Sequence, residues 1–362
     1  MGAMKKFCLL SIVALFFASC ASSQSFVQTV QGLPEHEPAS ALSVPPAPHA
    51  RAKNIILMIG DGMGAEHVWA AWLCNKGKLN ITQLPYTAFC TTFSADSAIT
   101  DSAAAGTAIA CGRKTNNGSV GVDADGKRLA SLAEHCRNRG MATGVVVTKA
   151  ITDATPAAFY AHVNSRRKTS AIARELFLAD WDVVVGGGAA AFSPEQSEAL
   201  RSRGASVELV APGHCPPASQ RGDFLPRYTA AALAQLEKSP KGFFLMVEGS
   251  AIDSAAHACN AEETVREVLD FDCAVGVVLE WMSRHPETLL VVTADHQTGG
   301  LSVLDGDRES GEVTVDFATS KHTGVAVPLY AAGAGAHAFR GVMDNTELAS
   351  RMLNSMSQCP QK

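Results

Sequence analysis

The chain has 362 residues, of which 47% are hydrophobic and 18% are charged, and its formal net charge is −5. This composition supports a sizeable buried core and excludes a disordered chain. Lysine and arginine are spread along the sequence rather than clustered, which excludes a basic surface for nucleic acid.

The first twenty residues have the pattern of an export signal. Lys5 and Lys6 precede an apolar stretch from Phe7 to Ala18, which is too short to span a bilayer. The stretch Phe17-Ala18-Ser19-Cys20 resembles a bacterial lipobox, with Phe17 where Leu is usual, in which Cys20 is lipidated and becomes the mature N-terminus. We therefore expect residues 1–20 to be a signal peptide of lipoprotein type and the protein to be exported to the periplasm or cell envelope, anchored through Cys20. A conventional secreted protein is the alternative.

A segment rich in Ser, Gln, Pro and Ala follows the leader, from Ala21 to Ala52. This composition predicts a flexible tether that holds the domain off a membrane. Residues 53–362 are predicted to form a single catalytic domain, because large α/β enzymes of this length commonly have one core.

Short β-branched and apolar runs alternate with amphipathic or alanine-rich segments along this domain. Continuous apolarity predicts strands covered on both faces, and the alternation predicts an α/β fold, a three-layer sandwich with a largely parallel central sheet flanked by helices. The predicted strands are Asn54 to Ile59, Ala142 to Thr148, Asp182 to Val185, Ser206 to Val210, Gly242 to Val247, Thr288 to Thr293 and Val327 to Ala331. The predicted helices are Arg128 to Arg139, Lys168 to Ala179, Ser193 to Arg203, Thr229 to Lys238, Glu262 to Arg284 and Thr346 to Met356.

Polar clusters come directly after four of the predicted strands. Asp61 follows the first strand, Thr152 to Thr155 follow the second, and Glu248 and Asp295 follow the strands that end at Val247 and Thr293. In open α/β sheets, ligands bind beyond the carboxyl ends of the strands. The sequence therefore predicts that these side chains meet at one edge of the sheet.

The residue types in these clusters are those that bind metals. Asp253 and His257 are four residues apart, which places them on one face of a helix or turn. Two sets combine imidazole with carboxylate, which zinc accepts; they are Asp253, His257 and His322, and Asp61, Asp295 and His296. A third set offers only oxygen, which suits Mg²⁺; it consists of Glu248 and Thr155, with Asp61 bridging.

Taken together, the motifs resemble those of the alkaline phosphatase family. They run in the family order from Asn54 to Pro328 and include GDGMG, DSAAAGTA, KTNNGSVGVDADG, DATPAAFYAHVNSR, MVEGSAID-x-x-x-H, TADH and HTG. Single motifs such as HTG carry no weight alone, whereas the ordered set is specific. The resemblance implies a phosphomonoesterase that acts on small phosphate monoesters with two Zn²⁺ and one Mg²⁺.

The resemblance also implies a role for each matching position. Ser102 is the expected nucleophile, which becomes phosphoserine, and Arg166 is expected to clamp two phosphate oxygens with its planar guanidinium. The implied ligands are Asp253, His257 and His322 for one zinc, Asp61, Asp295 and His296 for the other, and Asp61, Thr155 and Glu248 for magnesium. Asp153 matches a residue that contacts magnesium-bound waters in many bacterial members.

One position departs from the family pattern. Ser254 follows Asp253, where the family commonly has Lys or His. The missing cation predicts a wider, less positive pocket, with weaker phosphate binding and faster product release. The short second half, with 25 residues between His296 and His322, predicts an open site without a crown and leaves a homodimer through the sheet flank as the remaining dimer contact.

Two other functions remain open from the sequence. The first is another member of the same superfamily, a phosphodiesterase, nucleotide pyrophosphatase or sulfatase, which generally uses Thr or a modified Cys as nucleophile and lacks a clamp like Arg166. The second is a surface lipoprotein that binds metal or phosphate without turnover. Ser102, Arg166 and Glu248 together favour monoester hydrolysis.

Overall fold

The computed structural model of the protein describes residues 26–39, 50–202 and 206–356. The strands in these ranges are β1 Gln28–Val30, β2 Asn54–Gly60, β3 Tyr86–Thr91, β4 Ala142–Ala150, β5 Val183–Gly187, β6 Ser206–Leu209, β7 Phe243–Gly249, β8 Thr288–Thr293, β9 Gln297–Thr298, β10 Leu301–Asp307, β11 Glu312–Phe317, β12 His322–Thr323, β13 Val327–Gly333 and β14 Gly341–Asp344. The helices are α1 Ala65–Cys74, α2 Ser102–Cys111, α3 Leu132–Arg137, α4 Ala154–Ala157, α5 Thr169–Leu178, α6 Pro194–Ser202, α7 Ala218–Arg221, α8 Phe224–Leu236, α9 Ala251–His257, α10 Ala261–Met282 and α11 Glu347–Ser355.

A nine-stranded sheet forms the centre of the molecule, in the order β14-β3-β13-β8-β2-β7-β4-β5-β6. The strands from β8 to β6 run parallel, whereas β13 is antiparallel to both of its neighbours. Every residue of β2, β7 and β8 is buried, as expected for strands covered on both faces. The predicted α/β fold with a largely parallel sheet is confirmed.

Two groups of helices cover this sheet. The long α10 packs against α1, α8 and α9, while α2 packs against α3, α4 and α11. Each predicted strand is present, and each predicted helix is present with ends shifted by a few residues; the largest shift is in α8, which begins at Phe224 rather than at Thr229. No disulfide forms among the seven cysteines of the described ranges.

Part of the predicted tether is packed on the domain. β1 pairs with β11 in an antiparallel ladder, and Val30 and Leu33 are buried. Further along, the backbone N–H of Ala39 donates to Asn80 Oδ1 over 2.8 Å. The prediction of a flexible tether is therefore wrong for residues 26–39, because this stretch pairs with the edge of β11 and buries Val30 and Leu33.

The predicted leader, Cys20, and positions 21–25 and 40–49 of the predicted tether lie outside the described residues. Within the ranges that are described, no helix has both the length and the apolarity needed to cross a membrane.

His36 fastens this N-terminal segment to α10. Its Nε2 lies 2.8 Å from Oδ2 of the fully buried Asp272, which also accepts backbone N–H groups from Asn80 and Ile81. Burial lowers the pKa of His36, but the hydrogen bonds to Asp272 and Cys273 and the charges of both groups together outweigh it and raise the pKa to about 10. A raised histidine pKa stabilises the fold fully below the unfolded value of about 6.5, and this contribution is lost as the pH rises through about 10.

We expect His36→Gln to destabilise the protein by about 1.5–3 kcal/mol at pH 7, the usual range for a hydrogen bond to a charged group. The deficit relative to the unmodified protein should shrink between pH 7 and pH 10.5, because the imidazole loses its charge over this interval. Urea unfolding at both pH values measures this difference in the free energy of unfolding. His135→Gln, at an exposed histidine, is the matched control. A deficit that is the same at both pH values would contradict a charged pair.

Candidate active site and metal centre

The carboxyl ends of three adjacent strands bring acidic side chains together. The register pairs Ile59 of β2 with Glu248 of β7 and with Thr293 of β8. Asp61 follows β2 directly and Asp295 lies two residues after the end of β8, and the backbone N–H of Gly62 donates to Asp295 Oδ1 over 3.1 Å. Asp61, Glu248 and Asp295 are all buried at this edge.

The turn after β2 depends on a glycine. Gly62 has φ +73°, and a Cβ at this position would lie 2.7 Å from Thr298 Oγ1 and 3.1 Å from the Cα of Asp253. Only glycine adopts this backbone conformation readily and leaves room for both neighbours. GDGMG therefore lets Asp61 lie close to the elements that carry Asp253 and Thr298.

Two groups of side chains each place one ligand atom per residue within 4.8 Å of the others: Asp61, Asp295 and His296, and Asp253, His296 and His322. The first is one of the predicted zinc sets. His257 of the other predicted set lies beside the second group, with its Nε2 3.0 Å from His322 Nε2 and 3.1 Å from Asp253 Oδ1. The two predicted sets thus adjoin, and His296 lies between them.

Hydrogen bonds orient the imidazoles. The Nδ1 of His257 lies 2.7 Å from the carbonyl oxygen of Ser320, and the Nδ1 of His322 lies 2.9 Å from that of Thr100. A carbonyl only accepts, so Nδ1 carries a proton and the Nε2 of each neutral ring is left as the metal-binding atom. Thr298 adds a second contact by donating to Asp253 Oδ1 over 2.7 Å.

The buried carboxylates lack the partners that their charge requires. Asp61 Oδ1, Asp295 Oδ2 and Glu248 Oε2 accept no hydrogen bond from any described residue. Burial, together with neighbouring carboxylates such as Asp253, raises the pKa of Asp61 to about 8 and that of Asp295 to about 6. Burial, Asp61 and Asp153 likewise raise the pKa of Glu248. Such orphaned oxygens, with imidazole Nε2 atoms nearby, fit divalent cations.

The imidazoles of His296 and His322 differ in their pKa. Burial, followed by the charge of His322, lowers the pKa of His296 to about 4. Burial lowers the pKa of His322 as well, but the hydrogen bonds to Asp253 and to the Thr100 backbone, with the charges of Asp253 and Asp61, together raise it to about 9. His296 is therefore neutral at pH 7 without help, whereas a metal must displace a proton from His322.

Ser102 lies beside the first group. It is the first residue of α2 and is buried, and its Oγ lies 3.2 Å from His296 Nε2. Asp101 caps the helix by accepting from the N–H of Ala104 over 3.0 Å. Gly106 and the other small residues of α2 allow α4 to pack closely, since a Cβ at Gly106 would lie 3.3 Å from the Cα of Thr155.

Arg166 reaches the residue next to Ser102. Its Nη1 donates to Asp101 Oδ2 over 3.3 Å and its Nη2 to Asp153 Oδ1 over 2.9 Å. Burial lowers the pKa of Arg166, but the charges of Asp153 and Asp101 outweigh this effect and raise it, so the guanidinium remains charged. Its side chain is 31% exposed, which leaves it accessible to an anion at Ser102.

The residues predicted for magnesium are less closely gathered. Asp153 caps α4 through the N–H of Ala154, and Thr155 is buried in the first turn of that helix. Asp153, Thr155 and Glu248 are in neither of the two ligand groups found among the described residues. The charges of Asp61 and Asp153 contribute to the raised pKa of Glu248, so the three carboxylates repel one another.

Sequence reasoning missed Lys149. Its Nζ lies 3.0 Å from Asp253 Oδ2 and 3.5 Å from Asp61 Oδ2, and it is buried near the end of β4. Burial would lower its pKa, but Asp61 and Asp253 raise it, so it stays charged. The less positive pocket inferred from Ser254 stays a prediction, but Lys149 brings a buried cation to the site from β4. A lysine within the apolar run VVVTKA was the only available signal.

An α/β sandwich with imidazoles and carboxylates gathered beside a buried serine has the architecture of a metal-dependent hydrolase. The sequence model of the alkaline phosphatase family matches residues 52–213 and 207–313. Alkaline phosphatase 4 of Bacillus subtilis is 31% identical over 83% of this chain and 88% of its own length. Streptomycin-6-phosphate phosphatase of Streptomyces griseus is 32% identical over 86% of this chain and 92% of its own.

A solved structure agrees with the sequence relatives. The alkaline phosphatase from the Antarctic bacterium TAB5 has a TM-score of 0.80 and 31% identity, and the match covers 86% of this chain and 99% of that one. A variant of that enzyme carries magnesium bound in its M3 site. The protein belongs to the alkaline phosphatase family and is a phosphomonoesterase.

Proposed function

We propose that the protein hydrolyses small phosphate monoesters through a phosphoserine intermediate at Ser102, in a site that holds two zinc ions and one magnesium ion. The observation that carries this proposal is the position of the Ser102 Oγ, 3.2 Å from His296 Nε2 at the junction of two ligand groups. The neighbouring Arg166 guanidinium adds a donor pair suited to phosphate.

The donor set supports one assignment of the ions. Asp253, His257 and His322 would hold one zinc, and Asp61, Asp295 and His296 the other. Asp61, Thr155 and Glu248 would hold magnesium, with Asp153 reaching it through water. The magnesium in the M3 site of the TAB5 variant supports a third ion in this family. When bound, the zinc ions would lower the pKa of the serine hydroxyl and stabilise negative charge on the ester oxygens.

The residues of this chain then perform a double displacement. Ser102 loses its hydroxyl proton to solvent, its Oγ attacks phosphorus and a new Oγ–P bond forms. The ester P–O bond breaks to release the alcohol, which takes a proton from solvent. Arg166 donates to two non-bridging oxygens and keeps the phosphoryl group in line, while the N-terminus of α2 favours the anion. Water then loses a proton and its oxygen attacks the phosphorus of the phosphoserine; the Oγ–P bond breaks, phosphate leaves, and Ser102 Oγ takes up a proton to restore the serine.

Arg166→Ala separates monoester hydrolysis from its alternatives. We expect kcat/KM for p-nitrophenyl phosphate to fall on the order of a hundredfold, because the dianion loses paired charged donors. Turnover of bis(p-nitrophenyl) phosphate, which has one anionic oxygen fewer, should fall less. The adjacent and exposed Arg167→Ala is the matched control and should behave as the unmodified protein does. An unmodified enzyme that prefers the bis-ester or an aryl sulfate would instead support a phosphodiesterase or a sulfatase.

The proposal extends to location. The leader pattern of residues 1–20 and the lipobox-like Phe17-Ala18-Ser19-Cys20 support export and anchoring of the mature protein to a membrane through Cys20. A phosphomonoesterase held there would act on small soluble esters outside the cytoplasm.

A further inference from the structure

Lys149 is a buried cation in contact with two different parts of the site. It lies in β4, with 8% of its surface exposed, directly after the buried run from Val145 to Thr148. Burial of a lysine is costly unless the ammonium is paired. Its partners come from separate elements: Asp61 follows β2, and Asp253 belongs to α9.

These two partners also belong to the two different ligand groups. Asp253 lies in the group with His322, whereas Asp61 lies in the group with Asp295. The ammonium therefore links the groups from the side of β4. The backbone N–H of Ala251 donates to Thr148 Oγ1 over 3.2 Å, which fixes the start of α9 on the strand that carries Lys149.

Lys149 is also open to the space beside the site. Lys149 and Ser254 line the same cavity of about 520 Å³, together with Thr148, His214 and Ala251. Ser254 is exposed and neutral, so it brings no charge to this space. Glu263 and Glu267 also line this cavity, and Lys149, which contacts Asp253, is the one lysine or arginine among its described lining residues.

Asp153 is a carboxylate on which both Arg166 and Lys149 act. Arg166 donates to Asp153, and the charge of Lys149 also acts on that carboxylate. Arg166 also contacts Asp101, and Lys149 also contacts Asp253, so the two cations approach the site from different elements. A phosphate dianion bound at Ser102 would lie in the field of both.

We propose that Lys149 is a positioning residue of this phosphatase: its ammonium orients Asp253 and Asp61 and supplies the positive charge for phosphate that the serine at position 254 does not. The expected effect of Lys149 on turnover rests on the proposed function. The expected effect on phosphate binding can be measured without turnover.

Lys149→Met removes the charge and keeps an unbranched side chain. We expect the inhibition constant of inorganic phosphate to rise about tenfold, equivalent to the loss of 1.4 kcal/mol of binding free energy. The KM for p-nitrophenyl phosphate should rise by more than kcat falls, because the charge acts on the bound dianion. Lys149→Arg, which keeps the cation, should retain most of the phosphate inhibition. Lys114→Met is the control, since Lys114 is also an ion-paired lysine, half-buried rather than buried, and its partner is Asp344.

Rescue from position 254 is the decisive measurement. Because positions 149 and 254 line one cavity, Ser254→Lys should restore phosphate inhibition in the Lys149→Met protein. Zinc content, measured by metal analysis on every variant, separates a charge effect from loss of metal. Unchanged phosphate inhibition in Lys149→Met at full zinc content would overturn the inference, and so would an increase that neither arginine at 149 nor lysine at 254 reverses.

The same binding can be measured without catalysis. Calorimetric titration of inorganic phosphate into Ser102→Ala protein, with and without Lys149→Met, reports on the lysine even if the proposed hydrolysis fails. A protein that turns over monoesters and binds phosphate equally with either residue at 149 would overturn only the role of Lys149. Circular dichroism of Lys149→Met and Lys149→Arg checks that both variants fold. If only Lys149→Arg folds, its phosphate affinity becomes the test. An affinity equal to that of the unmodified protein supports the proposal, and a tenfold loss overturns it.

Discussion

Ser102→Ala is expected to reduce hydrolysis of p-nitrophenyl phosphate on the order of a thousandfold or more, which is typical for loss of a nucleophile that acts together with its surroundings. The Oγ lies 3.2 Å from His296 Nε2, and no other described hydroxyl is hydrogen-bonded to that atom. Arg166 and the ligand groups remain in this variant, so phosphate binding should survive. Turnover assays and metal analysis of the same preparation measure both.

A covalent trap tests the intermediate directly. Acid quench after mixing with labelled phosphate should leave label on the unmodified protein and none on Ser102→Ala. Ser170→Ala, an exposed serine in the first turn of α5, is the matched control and should keep both label and activity. Labelled Ser102→Ala protein, or full activity without Ser102, would contradict the phosphoserine mechanism. Absence of label together with absence of turnover in the unmodified protein would favour a protein that only binds metal or phosphate.

The central strands could be predicted from the sequence because their burial is two-sided. β2, β7 and β8 are apolar at almost every position, and their short length and β-branched content favour buried strands over helices. The outer strands could not. In β3 only Ala88 and Cys90 are buried, and the pairing of this strand with β13 and β14 depends on segments more than 230 residues away.

The ligand residues could be predicted because strand ends and helix spacing place them. Asp61 and Asp295 follow adjacent parallel strands, and the spacing of Asp253 and His257 corresponds to one turn of α9. Two features lay beyond that reasoning. The position of His296 between both groups depends on the direction in which the chain turns after β8, and the contact of Lys149 with Asp253 depends on the packing of α9 against β4.

Removal of metal is expected to abolish activity and to lower the melting temperature. Without ions, Asp61, Glu248 and Asp295 are buried carboxylates with orphaned oxygens, and Lys149 compensates only part of their charge. An ion whose free concentration is a hundred times its dissociation constant stabilises the folded state by about 2.7 kcal/mol. Chelation followed by dialysis, then addition of zinc plus magnesium, should remove and restore both properties. Activity that resists chelation would rule out the mechanism proposed.

The effect of chelation on stability should depend on pH in a definite direction. In the metal-free protein the pKa of Asp61 is raised to about 8 and that of Asp295 to about 6, chiefly by burial. Acids whose pKa is raised by folding stabilise the fold fully below their unfolded value of about 4, and this contribution is lost as the pH rises through 6 and 8. The difference in melting temperature between loaded and chelated protein should therefore widen from pH 5 to pH 9.

Asp61→Asn tests whether charge repulsion causes the loss of stability after chelation, because its effect on stability should change sign when the metal is removed. With metal present the variant should be less stable than the unmodified protein, because the carboxylate proposed to serve two sites is lost. After chelation at pH 9 it should be more stable, because one charge has been removed from a buried cluster with Asp253 and Asp295. Asp305→Asn, in the exposed hairpin of β10, is the control and should change neither value. An Asp61→Asn protein that is destabilised equally with and without metal would show that the carboxylate acts through hydrogen bonds alone, and the charge repulsion inferred for the empty cluster would then be wrong.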